Sequence, residues 1–441
     1  MPIITNTIFT SNKIIKFTLS VTFIGLVSTI QAADLYQITD LGSLAPDTVS
    51  GRSTEAFAIN DSNIIAGNSS GEDFIAHAVV HSNGQLTDLG FTTGEVIDAG
   101  RSYSFDINNN NVAVGYSVET LEEMVNDVNL VERFAVLYGI DNLTVTKIPA
   151  FSLDTKLQSG ANAINDDNLV VGFGEFNPTD DVDDDGNSLE IIYDRGFFYN
   201  VDTEILTRVD PIVSENQESF QYLSLRDVNE DGYAVGISSS SRSPIDANRN
   251  LIARHVIGVN VNEPTEVEII EIWGGTQQQP WAVNDAGKIV GVANSSANRD
   301  PQAFIYSNQS TTGLGFLNNN FKYSEAFDIN ESDQVVGISQ IQNTPTGYHA
   351  FLYENDSLKD LNELIPCDSG WILNEARSIN DTGMIVGTGI LNGEKRAFML
   401  TPQTGNKPIC EVEDDSSDSG SIPVLTLTLL ILFGFKRRTK I

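Results

Sequence analysis

The stretch AINDSNIIAG, residues 58–67, decides the fold, because its pattern returns six more times along the chain. Every copy has Ile or Val, then Asn, and a Gly seven residues after that Asn. The seven asparagines are Asn60, Asn108, Asn165, Asn229, Asn284, Asn330 and Asn380. A pattern that runs through most of a chain indicates one repeated structural unit. It takes precedence over the division into about three domains that 441 residues alone would suggest.

The repeat predicts a tight β-hairpin. An Asn or Asp side chain can cap its own turn, and the last residue of such a turn needs a positive φ. That position is always Asn, Asp or Gly, the residues that adopt positive φ most easily. The seven residues are Asn63, Asn111, Asn168, Gly232, Gly287, Asp333 and Gly383. We therefore expect strand, turn and strand in every copy.

Two further apolar stretches follow most hairpins, such as HAVVH at 77–81 and LTDLG at 86–90. Each unit therefore has four strands, which we call a to d from the hairpin outward. Consecutive asparagines are 46 to 64 residues apart, which suits a four-stranded propeller blade and exceeds one coil of a solenoid. The sequence thus predicts an all-β fold over residues 33–412, a seven-bladed β-propeller with four-stranded blades.

The N-terminal strand is expected to close this ring. No strand d follows RAFML at 396–400 in the seventh unit, but YQITDLG at 36–42 precedes the first hairpin and matches LTDLG. We expect this strand to enter the last blade. Closure would remove the open sheet edge that otherwise promotes aggregation.

Three long insertions, residues 116–132, 173–194 and 237–253, all fall between strands b and c. Because antiparallel strands alternate in direction, the b–c connections lie at the end of the ring opposite the Asn turns. Insertions gathered on one face indicate a binding surface. The alternative is surface growth that the fold tolerates.

The HAFLY segment at 349–353 and the IND turn resemble the HAF repeat, named for His-Ala-Phe, of exported bacterial proteins. The whole arrangement is similar to an uncharacterised family of such proteins, and the resemblance covers nearly the entire chain after residue 33. It implies an exported β-propeller. It carries no known activity and no catalytic residues.

Residues 1–32 are typical of a secretory signal peptide. Lys13 and Lys16 precede the apolar run 17–30, and the small residues Ala32 and Ala33 follow it. The order of basic flank, apolar run and small residues predicts export, with cleavage after Ala32 or Ala33.

The C-terminal end has three parts: an acidic, Ser-rich spacer at 413–421, an apolar segment at 422–435 and a basic terminus at 436–441. The apolar segment is short for a bilayer-crossing helix. The arrangement resembles a GlyGly-type sorting signal that intramembrane rhombosortases process, although only Gly420 stands where that family has paired glycines. We expect membrane contact through this tail, and a protein held at the cell envelope or surface, or released after processing.

The chain is strongly acidic, with a net charge of −35. Such a surface repels phosphate backbones, which excludes nucleic acid as a partner. Solubility alone is a sufficient reason for the charge. We expect a monomeric body.

Two cysteines, Cys367 and Cys410, are the whole cysteine content. An exported compartment favours their pairing in one disulfide, and two thiols make no metal framework.

A calcium loop is predicted in the second insertion, DDVDDDGNSLE at 180–190. Alternating carboxylates followed by a glycine match the opening of such a loop. Ile192 stands where a closing acid is expected, so Glu190 or Asp194 would have to replace it. The candidate ligands are Asp181, Asp183, Asp185 and Glu190. A solvated acidic loop is the alternative. A similar run at 227–232 is interpreted as the turn of the repeat itself.

No catalytic constellation emerges from the sequence. The segment GNSSG at 67–71 matches G-x-S-x-G, but no helix signal follows it. His77 and His349 open equivalent strands where other copies have different side chains, so we interpret them as strand-edge surface residues. We therefore expect a non-enzymatic module that binds an envelope protein or glycan through the insertion face. The alternative functions are an envelope hydrolase or lyase at the channel mouth, and a structural envelope protein.

Overall fold

A computed structural model describes residues 35–46, 48–49, 51–72, 74–91, 100–125, 128–149, 151, 158–176, 193–211, 222–239, 254–295, 300–344 and 347–403. The segments predicted as signal peptide (1–32) and calcium loop (180–190), Cys410 and the C-terminal tail lie outside these residues. The described part is built of 28 β-strands and one short 3₁₀ helix, Leu361–Glu363. No helix within it has the length and apolar character needed to cross a membrane.

The strands form five four-stranded antiparallel sheets and one eight-stranded sheet, in which two four-stranded antiparallel halves are joined by a single parallel pairing of Asp194 with Tyr222. We describe the strands in groups of four, which we call blades 1 to 7. Blade 1 contains β2 (Thr54–Ile59), β3 (Ile65–Ser70), β4 (Ala76–Ser82) and β5 (Gln85–Asp88). Blade 2 contains β6 (Arg101–Ile107), β7 (Val112–Val125), β8 (Val128–Gly139) and β9 (Thr144–Lys147). Blade 3 contains β10 (Ser159–Ile164), β11 (Leu169–Phe176), β12 (Tyr193–Asn200) and β13 (Ile205–Val209). Blade 4 contains β14 (Tyr222–Val228), β15 (Tyr233–Ser239), β16 (Arg254–Asn260) and β17 (Glu268–Ile270).

The remaining blades follow the same order. Blade 5 contains β18 (Gly274–Val283), β19 (Ile289–Ser295), β20 (Gln302–Ser307) and β21 (Ser310–Gly313). Blade 6 contains β22 (Ser324–Ile329), β23 (Val335–Gln340), β24 (Tyr348–Glu354) and β25 (Ser357–Asp360). Blade 7 contains β26 (Trp371–Ile379), β27 (Ile385–Leu391), β28 (Glu394–Gln403) and β1 (Leu35–Asp40). The all-β prediction of a propeller with four-stranded blades is confirmed.

The N-terminal strand closes the ring, as predicted. β1 pairs antiparallel with β28, from Leu35 opposite Gln403 to Asp40 opposite Phe398. Tyr36 is buried in the apolar core between blades 6 and 7, with 5% of its surface exposed. The strand is therefore fixed both by main-chain pairing and by side-chain burial.

The predicted turn conformation is also confirmed. The seven residues that end the Asn turns all have positive φ, between 59° and 77°. The asparagine side chain caps each turn, because its Oδ1 accepts the main-chain N–H four residues later over 2.8 to 3.0 Å. One backbone requirement thus explains why Asn, Asp and Gly alternate at one position.

The glycine seven residues after each Asn is required for a different reason. Every a–b pairing contains a β-bulge, so one residue of strand a has no partner on strand b. The glycine lies opposite this bulge. A Cβ on Gly291 would stand 2.0 Å from the carbonyl oxygen of Gln279, and the other six glycines are equally confined. Close approach of two strands, and not positive φ, therefore requires glycine here.

Each blade packs its apolar side chains against the next blade. The Ala and Phe of the HAF pattern are central to these cores, since Ala350 and Phe351 are both fully buried. The same holds for Ala303 with Phe304 and for Ala397 with Phe398. The short alanine leaves room for the neighbouring sheet, and the phenylalanine fills the space between blades.

Two details of the blades go beyond the sequence prediction. The last strand of blade 5 lies at Ser310–Gly313, directly after a tight turn in which Asn308 and Gln309 have positive φ. The first insertion, 116–132, is mainly a hairpin extension in which β7 and β8 stay paired as far as Val125 and Val128. Of the other two insertions, residues 177–192 and 240–253 lie outside the described part.

Candidate functional site

A closed ring of hydrogen bonds surrounds the axis at the Asn-turn end. Each of the seven asparagines donates from Nδ2 to the main-chain carbonyl of the asparagine in the next blade, over 3.0 to 3.3 Å. The last bond joins Asn380 to the carbonyl of Asn60. We call these seven residues the Asn ring. Their side chains are buried and fully used, so the ring is structural.

A second ring lies just outside the first, formed by the residue after each asparagine. We call it the acid ring: Asp61, Asn109, Asp166, Glu230, Asp285, Glu331 and Asp381. The main-chain N–H of each member donates to the side chain of the member in the next blade, over 2.7 to 3.3 Å. Both rings line a cavity of about 240 Å³. One side-chain oxygen of every member thus accepts a hydrogen bond that joins two neighbouring blades.

Burial, with a smaller effect of neighbouring acids, raises the pKa of two members of this ring. Burial is the largest cause of the raised pKa of Glu230, and the negative charges of Asp166 and Asp285 add to it. Burial likewise raises the pKa of Glu331, helped by the charges of Asp285 and Asp381. In both cases a main-chain N–H donated to the carboxylate acts in the opposite direction. The mouth is therefore acidic, and its carboxylates belong to the blade-to-blade contacts.

Three further aspartates, which we call the inner aspartates, stand two residues before the asparagine in blades 2, 4 and 6. They are Asp106, Asp227 and Asp328. One oxygen of Asp106 accepts the N–H of Ile107, and the other accepts the N–H of Ile164 in blade 3. Asp227 and Asp328 do the same toward blades 5 and 7. Each inner aspartate thus ties its blade to the following one.

Burial raises the pKa of all three inner aspartates. The pKa of Asp106 is raised to about 6 by burial, against two N–H donors that lower it. The pKa of Asp227 lies well above its usual range because of burial and then the charge of Asp106. Asp328 shifts in the same direction, chiefly through burial. A raised carboxyl pKa is a property of general acids, but both oxygens of these groups already accept main-chain N–H groups.

The bulge residues form a third ring, toward the insertion end, which we call the collar. Its members are Phe57, Phe105, Asn162, Arg226, Trp281, Phe327 and Arg377. Neighbouring members touch across the blades: the Phe57 and Phe105 rings lie 5.6 Å apart, and those of Trp281 and Phe327 lie 5.9 Å apart. All members but Phe327 are half-buried, so the collar is partly accessible.

The collar has identical backbone geometry in each blade and different side chains. Arg377 lies 4.2 Å from the Phe327 ring and donates to Glu375 over 3.0 Å. Asn162 donates to the carbonyl of Leu225 over 2.6 Å. The collar therefore combines aromatic, amide and cationic groups at one level of the channel. The Asn ring and the acid ring contain no such mixture of side chains.

Polar contacts hold Trp281 in one orientation. Its Nε1 donates to Glu325 Oε1 over 2.6 Å, and the hydroxyl of Tyr323 donates to Glu325 Oε2 over 2.6 Å. Burial, followed by the negative charge of Glu325, raises the pKa of Tyr323. Tyr103 stacks on Phe105 at 6.0 Å and lies 4.8 Å from Tyr116, which extends the aromatic surface. A preformed aromatic wall is typical of ligand sites.

The histidines of the HAF pattern have a role that the sequence interpretation missed. His77 is buried, with 7% exposure, and its Nδ1 lies 2.8 Å from Asp88 Oδ2. His349 pairs with Asp360 in the same way at 2.6 Å. The expectation of a strand-edge surface residue was therefore wrong for His77, and strand d supplies an acidic partner to both histidines. Burial raises the pKa of Asp88, but the hydrogen bond and charge of His77 outweigh it, and the net pKa is lowered.

The other predicted site residues are placed as follows. Asp181, Asp183, Asp185 and Glu190 lie outside the described residues. Cys367 is exposed in the connection before blade 7, and its predicted partner Cys410 lies outside the described part. The run 227–232 forms the turn of blade 4. Within the described ranges, no group of three or more His, Cys, Asp and Glu side chains could hold a metal ion.

The architecture and its axial channel define the class: an all-β propeller with a polar, hydrogen-bonded mouth and a chemically mixed collar. The chain belongs to the family described as "Protein of unknown function (DUF3466)", which matches residues 47–221 and 195–431. Among curated proteins, none matches this chain.

Several solved structures are similar in fold. Oligogalacturonate lyase in complex with manganese is 14% identical with a TM-score of 0.48, covering 84% of this chain and 97% of that one. TolB from Acinetobacter baumannii is 10% identical with a TM-score of 0.38, covering 82% of this chain and 66% of that one. Trypanosoma rangeli sialidase is 12% identical with a TM-score of 0.37, covering 73% and 56%. At these identities the likeness concerns the fold alone.

Proposed function

We propose that this protein is an exported, non-enzymatic binding module that holds its ligand in the channel at the insertion end. The collar carries this proposal. At one position the backbone repeats in every blade while the side chains are Phe, Phe, Asn, Arg, Trp, Phe and Arg. If the fold required a particular side chain at this position, the same residue would recur in every blade. Different side chains at an accessible position near the axis instead favour ligand recognition. The ligand is an envelope protein or a glycan.

The Asn-turn end is less suited to recognition. Its asparagines are buried, and its acids exchange hydrogen bonds around the axis. Both rings therefore have a complete structural explanation. The collar is explained by the fold only in part, since Phe57, Phe105 and Trp281 are half-buried and keep some aromatic surface accessible.

A second candidate is a hydrolase or lyase with its site in the channel, and the inner aspartates favour it. A carboxyl with a pKa near 6 can serve as a general acid or base at neutral pH. The candidate ranks second because each inner aspartate accepts an N–H on both oxygens. A proton donor or acceptor for substrate would have to break a blade-to-blade contact.

Export, envelope attachment and calcium binding complete the proposal, and they rest on the sequence. The signal peptide at 1–32 and the tail at 422–441 would place the propeller outside the inner membrane, attached or released. Calcium would bind at Asp181, Asp183, Asp185 and Glu190. If it does, chelation should lower the melting temperature of the purified protein, and an unchanged temperature would count against calcium.

The binding function is tested by calorimetric titration with soluble fragments of envelope glycans and with peptides. We expect saturable binding that Phe105→Ala and Trp281→Ala weaken at least about tenfold, since buried aromatic contacts dominate such sites. The matched control is Ile205→Ala, on the outermost strand of blade 3, where 61% of the side chain is exposed. Mass spectrometry of the recovered ligand separates the two candidates: an unchanged ligand supports a binding module, and a cleaved one an enzyme.

A further inference from the structure

Of the two arginines in the collar, Arg226 has no acidic partner within the described part of the chain. The chain has 60 acidic and 25 basic residues, so acidic partners are abundant. Arg226 nevertheless forms no ion pair and no hydrogen bond in the described structure, and its Nε is buried without an acceptor. A buried N–H of a charged group that lacks an acceptor is strongly unfavourable. An acceptor from outside the chain would remove this penalty.

Neither Trp281 nor the glutamate that holds it supplies that acceptor. The guanidinium of Arg226 lies 5.3 Å from the centre of the Trp281 ring, at cation–π distance. Glu325 is bound to the neighbouring Trp281, but its two oxygens accept from Trp281 and Tyr323. The carboxylate is thus occupied by neutral donors. The other collar arginine, Arg377, has Glu375 as its partner.

A second arginine stands near the first. Arg254 begins β16, and its Nη1 donates to Gln279 Oε1 over a long 3.4 Å. Among the described residues it has no carboxylate partner. Burial lowers the pKa of Arg226, Tyr222 opposes this effect, and the charge of Arg254 adds to it. Two like charges therefore lie close together, and among the described residues no carboxylate pairs with either of them.

We propose that Arg226 and Arg254 form an anion subsite for an organic carboxylate, whose attached ring packs beside Trp281. This inference rests on the proposed binding function and names the chemistry of its ligand. A planar guanidinium presents paired N–H donors that match a carboxylate. The fixed indole beside it supplies an apolar face for a flat ring, either aromatic or pyranose. The ligand would supply the acceptor that Arg226 lacks.

The test uses the purified full-length protein and two matched pairs of probes. Benzoate is compared with benzyl alcohol, and glucuronate with glucose, by calorimetry and tryptophan fluorescence at low and high salt. The members of each pair differ chiefly in the charged group. We expect each acid to bind about tenfold or more tightly than its neutral partner, with affinity falling as salt rises. The pair whose acid binds more tightly shows whether the ligand carries an aromatic ring or a sugar ring.

Variants assign the effect to the two arginines. Arg226→Gln and Arg254→Gln should each abolish most of the preference for the acids, and Arg226→Lys should retain part of it because the charge remains. Arg208→Gln is the matched control, since Arg208 is exposed on the outer strand of blade 3 and pairs with Asp210. Circular dichroism checks that each variant is folded. Because Arg226 has no hydrogen-bond or ion-pair partner among the described residues, the variant loses only the cation–π contact with Trp281, and it should melt close to the wild-type temperature.

Three results would overturn the subsite. Equal binding of the acids and their neutral partners would show that the site does not recognise a carboxylate, and it would leave the proposed binding function intact. Equal competition by inorganic sulfate, with no preference for a ring, would reduce the site to adventitious ion binding. Failure of all four probes would refute the subsite, whereas the binding function would still be decided by the titrations with glycan fragments and peptides.

Discussion

Asn380 donates its side-chain N–H to the main-chain carbonyl of Asn60 over 3.1 Å, although 320 residues separate the two in sequence. The same side chain accepts the N–H of Met384 over 3.0 Å. One residue therefore closes its own turn and the whole ring. It shows how a local turn signal also fixes the arrangement of the blades.

Replacement of Asn380 by alanine should destabilise the protein markedly. The side chain of Asn380 makes five hydrogen bonds, which join it to Asn60, Asn63, Thr382 and Met384, and the buried one to the carbonyl of Asn60 is among those lost. We expect the free energy of unfolding to fall by about 2 to 4 kcal/mol. Chemical denaturation measures the change. Asn319→Ala is the control, because Asn319 is exposed in a loop and should change stability by less than about 0.5 kcal/mol. Equal effects of both variants would contradict the role of the ring.

Adding one methyl group at Gly291 should also destabilise the fold. The new Cβ would lie 2.0 Å from the carbonyl oxygen of Gln279, so the two strands would have to separate. We expect Gly291→Ala to lower the free energy of unfolding by about 3 kcal/mol. Gly337→Ala in blade 6, where the distance is the same, should give a similar value. Tolerance of alanine at both sites would show that close approach does not explain the repeat.

The closing strand should depend on its buried face. Tyr36→Ala removes a ring that is 5% exposed, and we expect a loss of about 3 to 5 kcal/mol. Gln37→Ala, at the exposed neighbouring position of the same strand, should have little effect. Thermal melting compares the two variants. Deletion of residues 34–44 should go further and cause aggregation by exposing the edge of β28. A soluble monomer after that deletion would refute closure by β1.

The inner aspartates should make stability depend on pH. The pKa of Asp106 is about 6 when folded, above the ordinary aspartate value, so the folded state binds this proton more tightly. Its contribution is therefore most favourable below pH about 4 and declines as pH rises to about 6, by up to about 3 kcal/mol. Asp106→Asn cannot titrate, so the difference in stability between variant and wild type should change across this window. A constant difference between pH 4 and 6 would contradict the raised pKa.

The sequence was sufficient where the controlling physics is local. Positive φ at Asn63 and Gly232 could be predicted, because each turn constrains its own residues. Gly67 was recognised by its spacing in the repeat, but the reason why glycine is required there is the bulge on the partner strand. The isolation of Arg226 could not be predicted, since ion pairing depends on which blades bring acids into reach. The only signal in the sequence was the position three residues before each asparagine, where side chains vary inside a constant pattern.

The pairing of β1 with β28 also governs how such a protein can change in length. Blade 7 takes three strands from one end of the chain and one from the other. Loss of a whole repeat from either terminus would therefore break a blade and uncover an unpaired strand edge. A repeat can be gained or lost without breaking a blade only inside the chain, where the sequence is cut between equivalent strands of neighbouring repeats. Closure thus makes the number of repeats a property of the whole molecule, unlike in an open solenoid, whose ends can grow or shrink.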